Sequence, residues 1–220
     1  MKEHPILFST EMVKAILVGN KTQTRRVMKS QPTRGVICKC PGDDSTFNNF
    51  EMYYCEREKE GWIPLGDGFK CPYGKVGDRL WVKETFCHFG NCYNAGKWQA
   101  YVKYKADGQA DIEFGENEPP KEKWWNTGKR LDYWQPSIFM PRWASRITLE
   151  ITGERVAQVQ DISEADAQAE GAPGIATHKP YPRQYRDSFE ALWGSINLKR
   201  GYSWASNPWC WVIEFKRIDP

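Results

Sequence analysis

The feature that most constrains the fold is the alternation between Arg146 and Thr152. Ile147, Leu149 and Ile151 are apolar, and Thr148, Glu150 and Thr152 beside them are polar. Successive side chains of a strand point to opposite faces, so this pattern suits a strand with one face on a core and the other in water. Past Gly153, Val156 and Val159 keep the apolar character, and a strand is expected from Arg146 to Gln160. Pro208 to Ile218 repeats the pattern, with Trp209, Trp211, Ile213 and Phe215 set against Cys210, Val212 and Glu214. Shorter strands are expected at Pro5–Ser9, at Arg79–Phe86 after the Gly77-Asp78 turn, and at Trp98–Lys105, closed by Asp107-Gly108. Thr24 to Met28 reads as extended.

Three stretches read as helices. Met12, Val13, Ile16 and Leu17 fall at helical spacing, so Thr10 to Val18 is an amphipathic helix with Thr10 as N-cap and Glu11 in the first turn. Gly19 ends it by accepting a left-handed backbone. Ser163 opens a second helix, Asp166 supports its first turn, and Glu170-Gly171 closes it. Pro182 to Ile196 is a third, with Tyr185, Phe189, Leu192 and Trp193 on one stripe.

Two regions lack clear periodicity. Residues 30–75 are rich in Gly, Pro, Asp and Asn and read as an irregular, cysteine-containing insertion with at most a short hairpin. Residues 109–135 read as a loop insertion, with Pro119-Pro120 and Trp124-Trp125. Strands outnumber helices and are spread along the chain. The expected fold is therefore α+β: a small, mainly antiparallel barrel with a few flanking helices and large loop insertions, in a single domain over residues 1–220.

With 31 basic and 28 acidic residues the net charge is +3, which permits a nucleic-acid partner without requiring one. Basic residues do cluster at Lys21, Arg25, Arg26 and Lys29. No apolar run reaches the roughly 18 residues of a membrane span. The N-terminus lacks a secretory leader pattern, so a cytoplasmic location, in a bacterium or a phage-infected host, is expected. Eleven Trp, ten Tyr and ten Phe supply rings for a core, for base stacking, or for both.

Four constellations could carry chemistry. In the first, Lys21 lies among cations and beside the Thr24 hydroxyl; in a partly dry site such a lysine loses its proton more readily and can serve as a base. The alternative is a basic, solvated loop. In a plain strand positions 21 and 24 face opposite ways, so a shared site demands a backbone irregularity near Thr22-Gln23. In the second, Glu170 sits at a helix C-terminus, against the dipole, where the protonated form is favoured and general acid–base work becomes available. Its alternative is a solvated surface glutamate. In the third, Cys38, Cys40, Cys55 and Cys71 could give four thiolates to a structural zinc, with Cys87, His88 and Cys92 as another cluster. Otherwise they are free thiols, and no cofactor is required. The fourth is a set of loop aromatics that includes Trp143.

The segment Gly19-Asn20-Lys21-Thr22-Gln23-Thr24-Arg25-Arg26 resembles the Gly-x-Lys-x-x-Glu/Thr-x-Arg signature of ASCH domains, a branch of the PUA-like superfamily. Residues 5–27, 71–84, 140–149, 161–171 and 207–215, taken in order, resemble the longer ASCH-type proteins of phages and prophages. The resemblance implies a PUA-like β-barrel with a cleft beside the first helix that binds RNA or modified bases. One small branch hydrolyses the acetyl group of N4-acetylcytidine, and its catalytic lysine, threonine and glutamate match Lys21, Thr24 and Glu170. Arg25, Arg26, Gly19 and Trp143 are the expected substrate or nucleic-acid contacts. The amidohydrolases are about half this length and lack both insertions, and many ASCH domains carry glutamate where this chain has Thr24. The functions implied are hydrolysis of an acyl amide on a modified nucleoside, non-catalytic reading of RNA or modified DNA, ribonuclease action, or a phage–host protein interaction.

Overall fold

A computed structural model describes residues 1–31, 36–38, 52–58, 61–115, 133–175 and 182–218. The chain is mixed α and β. Its strands are β1 (Glu3–Leu7), β2 (Gln23–Val27), β3 (Val36–Cys38), β4 (Met52–Glu58), β5 (Gly61–Phe69), β6 (Arg79–Lys83), β7 (Phe86–Asn94), β8 (Lys97–Tyr104), β9 (Gly108–Gly115), β10 (Thr148–Gln158) and β11 (Trp209–Ile218). The helices are α1 (Thr10–Leu17), α2 (Glu164–Ala169) and α3 (Gln184–Asn197). A five-stranded sheet has the order β1-β6-β10-β11-β2, and two three-stranded sheets have the orders β3-β4-β5 and β7-β8-β9. β1 and β6 are parallel, whereas β2 with β11, β3 with β4, β4 with β5, β7 with β8 and β8 with β9 are antiparallel.

The chain divides into two compact units. The first holds Met1–Lys2, Asn20–Asp78 and Glu150–Lys216; the second holds Glu3–Gly19, Arg79–Leu149 and Arg217–Pro220. In the first unit, Val159, Ile162, Ala167, Ala172, Phe189, Trp193 and Cys210 form a buried cluster that joins the two helices to β11. The helices are also tied end to end. α3 begins at Arg183 without a side-chain cap, and the Glu164 carboxylate of α2 accepts from the amides of Tyr185 at 3.0 Å and Arg186 at 3.2 Å instead. In the second unit, Phe86, Ala100, Val102, Tyr104, Met140 and Ala144 form the core beneath the β7-β8-β9 sheet, with Trp143 packed on its margin.

Several elements differ from the expectations. Ser9, not Thr10, is the N-cap of α1, its hydroxyl accepting from the Met12 amide. The expected strand Arg79–Phe86 breaks in two, because Glu84 is buried and turns its carboxylate onto Arg146 while its amide meets the Met140 sulfur. β6 thus joins one sheet and β7 another. The 30–75 region, read as irregular, contributes a three-stranded antiparallel sheet, more than the single hairpin expected. Gly61, Pro64, Gly66 and Gly68 interrupt any alternation along β5, which hides the strand from a periodicity argument. The loop expected over 109–135 begins as strand β9, paired with β8; residues 116–132 lie outside the described ones. Among the described residues no helix is long and apolar enough to cross a membrane.

Candidate functional site

The first unit gathers charge where β2 begins and α2 ends. The C-terminal carbonyls of a helix have no partner within the helix and need one from outside. The Thr22 amide donates to the Ala169 carbonyl at 2.8 Å, and the Lys21 ammonium donates to the Glu170 carbonyl at 2.7 Å. Lys21 forms an isolated antiparallel bridge with Glu170, Thr22 lies outside any strand, and regular pairing with β11 starts at Gln23. Lys21 and Thr24 are not brought to one side: Lys21 bonds with Gln23 and Glu170 on the Arg25 side, and by alternation Thr24 faces away, so the turn expected near Thr22-Gln23 to join them is not found. The Thr22 carbonyl still accepts from the Phe215 amide at 2.9 Å, which holds the break against β11.

The break lets Lys21 reach inward. Its ammonium donates to the Gln23 carbonyl at 2.8 Å, the Glu170 carbonyl at 2.7 Å and the Glu170 carboxylate at 2.9 Å. Three donors meet three oxygens, and none of the Lys21 side chain is exposed. Burial lowers the Lys21 pKa; Glu170 opposes that shift, while Arg26 and Arg25 add to it.

Arg25 joins from β2. Its guanidinium donates to the other Glu170 oxygen at 3.2 Å, to the Asp166 carboxylate at 3.0 Å and to the Gln23 side-chain oxygen. Asp166 also accepts from Arg155 at 3.0 Å, and Arg155 lies 4.0 Å from Glu214. The network therefore runs from a sealed interior outward: Lys21, Arg25 and Glu170 are buried, whereas Asp166, Arg155 and Glu214 are a quarter to a half exposed. Burial raises the Asp166 pKa, but the Gln23 amide with Arg25 and Arg155 outweighs it and holds the carboxyl below its usual value. Gly153 makes room for the outer end, since a Cβ there would come within 2.7 Å of a Glu214 oxygen.

The residues expected from sequence are partly brought together. Lys21, Glu170 and Arg25 converge. Arg26 is charged alongside them, burial lowering its pKa while Tyr73 and Glu170 act in the opposite sense. Thr24 is buried on β2, paired with Ile213; by strand alternation it sits on the opposite side from Gln23 and Arg25. Gly19 belongs to the second unit and ends α1 at φ +80°. Trp143 also belongs to that unit, its ring 5.5 Å from His88 in an edge contact. Sequence reasoning missed Gln23, Arg155 and Glu214 and saw Asp166 only as a helix-start residue.

Of the proposed zinc ligands, Cys40 and the side chains of Cys38 and Cys55 lie outside the described residues. Burial pushes the Cys71 thiol up to about 12, which disfavours the thiolate a metal would need. Among the described residues no group of three or more His, Cys, Asp or Glu side chains is placed to hold a metal ion. No family model, curated protein or solved structure matches the chain.

Proposed function

We propose that the chain handles a nucleoside or nucleic acid of modified-base type, in the manner of an ASCH domain on a PUA-like barrel. The ligand is received at the Asp166–Arg155 end of the buried Lys21–Arg25–Glu170 network. One observation carries this reading. Lys21 and Glu170, which the ASCH resemblance singles out, stand 149 positions apart in sequence and meet at 2.9 Å. A chance likeness in an eight-residue segment gives no reason for that meeting. In this reading the partly exposed Arg155 meets a base carbonyl or phosphate, Arg25 holds Asp166 in place, and Glu170 fixes the lysine.

A second reading, hydrolysis of an acyl amide such as that of N4-acetylcytidine, draws on the lowered Lys21 pKa. Water adds to the acyl carbon as its proton passes to the Lys21 amine. The C–N bond then breaks, and the leaving amine takes a proton from the lysine–glutamate pair. The products are a carboxylic acid and a free exocyclic amine.

The test is a panel of acylated and unmodified nucleosides, with short RNAs, assayed for binding and turnover with wild type and Lys21→Ala. Saturable binding of a panel member that Lys21→Ala weakens supports the first reading. Release of acid and amine that Lys21→Ala abolishes supports the second. Binding and turnover indifferent to Lys21→Ala would refute both.

A further inference from the structure

The second unit carries a different surface that the Lys21–Glu170 network does not use. β1 and β6 run parallel, with Glu3 opposite Arg79, Pro5 opposite Trp81 and Leu7 opposite Lys83. Alternation puts these six positions on one face. Ile6, Leu80 and Val82, on the other face, are fully buried. The outward face is therefore the solvent side of a firmly anchored strand pair, and β1 stands at the end of its sheet.

Its chemistry is a ring among cations. Trp81 has the Lys83 ammonium 5.4 Å and the Arg142 guanidinium 5.9 Å from its ring centre. Lys83 also donates to the Ile138 carbonyl at 2.6 Å, which ties the 137–139 turn to the same patch. That turn presents Ile138 at 59% and Phe139 at 50% exposure, and Leu7 adds a further 40% exposed apolar group. Arg79, Lys83 and Arg142 bring three positive charges, against the single carboxylate of Glu3, which Arg142 already pairs at 3.0 Å. Protein-binding patches are poor in lysine at their centres. Rings interleaved with lysine and arginine are the makeup of surfaces that stack unpaired bases and track a phosphate backbone.

We propose that this outward face of β1 and β6, centred on Trp81, binds single-stranded nucleic acid. A base stacks on Trp81, displacing the Lys83 ammonium toward the adjoining phosphate. Arg142 and Arg79 contact phosphates on either side, and Phe139 offers a second ring. None of these residues belongs to the Lys21–Glu170 network, so this surface stands or falls separately from the reading above.

The experiment is fluorescence anisotropy with labelled 12-mers of RNA and DNA, single-stranded and duplex, on the full chain. Each variant is first checked for a wild-type circular dichroism spectrum. Single strands should bind more tightly than duplexes, and added salt should weaken them. Trp81→Leu should weaken binding about tenfold, and Trp81→Phe should retain most of it. Lys83→Gln with Arg142→Gln should reduce the salt dependence. The proposal is overturned if Trp81→Leu binds like wild type or if no oligonucleotide binds. It is equally overturned if the face instead mediates self-association that Trp81→Leu dissolves. Nucleosides binding in a Lys21-dependent way while oligonucleotides do not would remove this inference alone. Trp81-dependent oligonucleotide binding without nucleoside binding would support it and remove the Lys21 reading.

Discussion

Replacing either Lys21 or Glu170 should cost several kcal/mol, and the two losses should not add, because each variant strands the buried groups that the other residue was bonded to. Glu170→Gln removes the negative charge that faces Lys21 at 2.9 Å and Arg25 at 3.2 Å. It leaves the ammonium among carbonyl oxygens in a site where its side chain has no exposure. Breaking a buried pair in this way costs about 3–5 kcal/mol. Lys21→Met keeps the apolar stem and leaves Glu170 bonded to Arg25, but it removes three buried hydrogen bonds, one to the Glu170 carboxylate and one each to the Gln23 and Glu170 carbonyls, so its cost falls in the same range. Either loss moves a urea midpoint by roughly 2 M at a typical slope. The double variant Lys21→Met/Glu170→Gln should be less destabilised than the sum of the singles by at least about 1 kcal/mol, since it removes the stranded ammonium as well. Urea unfolding of the four proteins measures all three quantities. Either single variant costing less than about 1 kcal/mol, or strict additivity in the double variant, would refute the buried-pair reasoning.

Three further outcomes are expected. The Asp166 carboxyl is held below its unfolded value of 3.8, so its contribution is present above that pH and is lost as pH falls through the folded pKa; Asp166→Asn should flatten the acid limb of stability below about pH 4, measured by urea melts at stepped pH. Gly19 holds φ +80°, and a Cβ added there would meet nothing within 4 Å, so only the backbone objects to a side chain. Gly19→Ala should cost about 1–2 kcal/mol and Gly19→Asn less, by chemical denaturation. Arg146 grips Glu84 through two nitrogens at 2.9 and 3.2 Å and stacks 4.0 Å over the Tyr104 ring, geometry a lysine cannot reproduce. Arg146→Lys should lower Tm by about 2–4 °C in a thermal melt.

Strands whose two faces differ were legible from sequence. β10 alternates, and the structure places Leu149 and Ile151 in the buried set; β11 is buried on both faces from Cys210 to Ile213, so its two faces differ less than the alternation predicted. β5 was not legible, because its glycines and proline erase the pattern and pairing with β4 sets it. Glu84 differs: alternation puts it on the face of the buried Leu80 and Val82, and it is buried there on Arg146, where β6 ends. At the candidate site, the Lys21–Glu170 partnership came from the family resemblance, whereas Thr24 keeps the opposed facing that plain alternation gives it. The wider network was beyond reach. Gln23, Arg155 and Glu214 look like solvated strand residues until strand order and register bring them around Arg25 and Asp166.

The most direct test of the central claim is calorimetric titration of acylated cytidine and its parent nucleoside into wild type and Lys21→Met, each first shown to be folded. The account predicts saturable binding of one nucleoside per chain by wild type, weakened at least about tenfold, or roughly 1.4 kcal/mol, by Lys21→Met. Wild type and Lys21→Met binding with equal affinity, or no nucleoside of the panel binding at all, would contradict it.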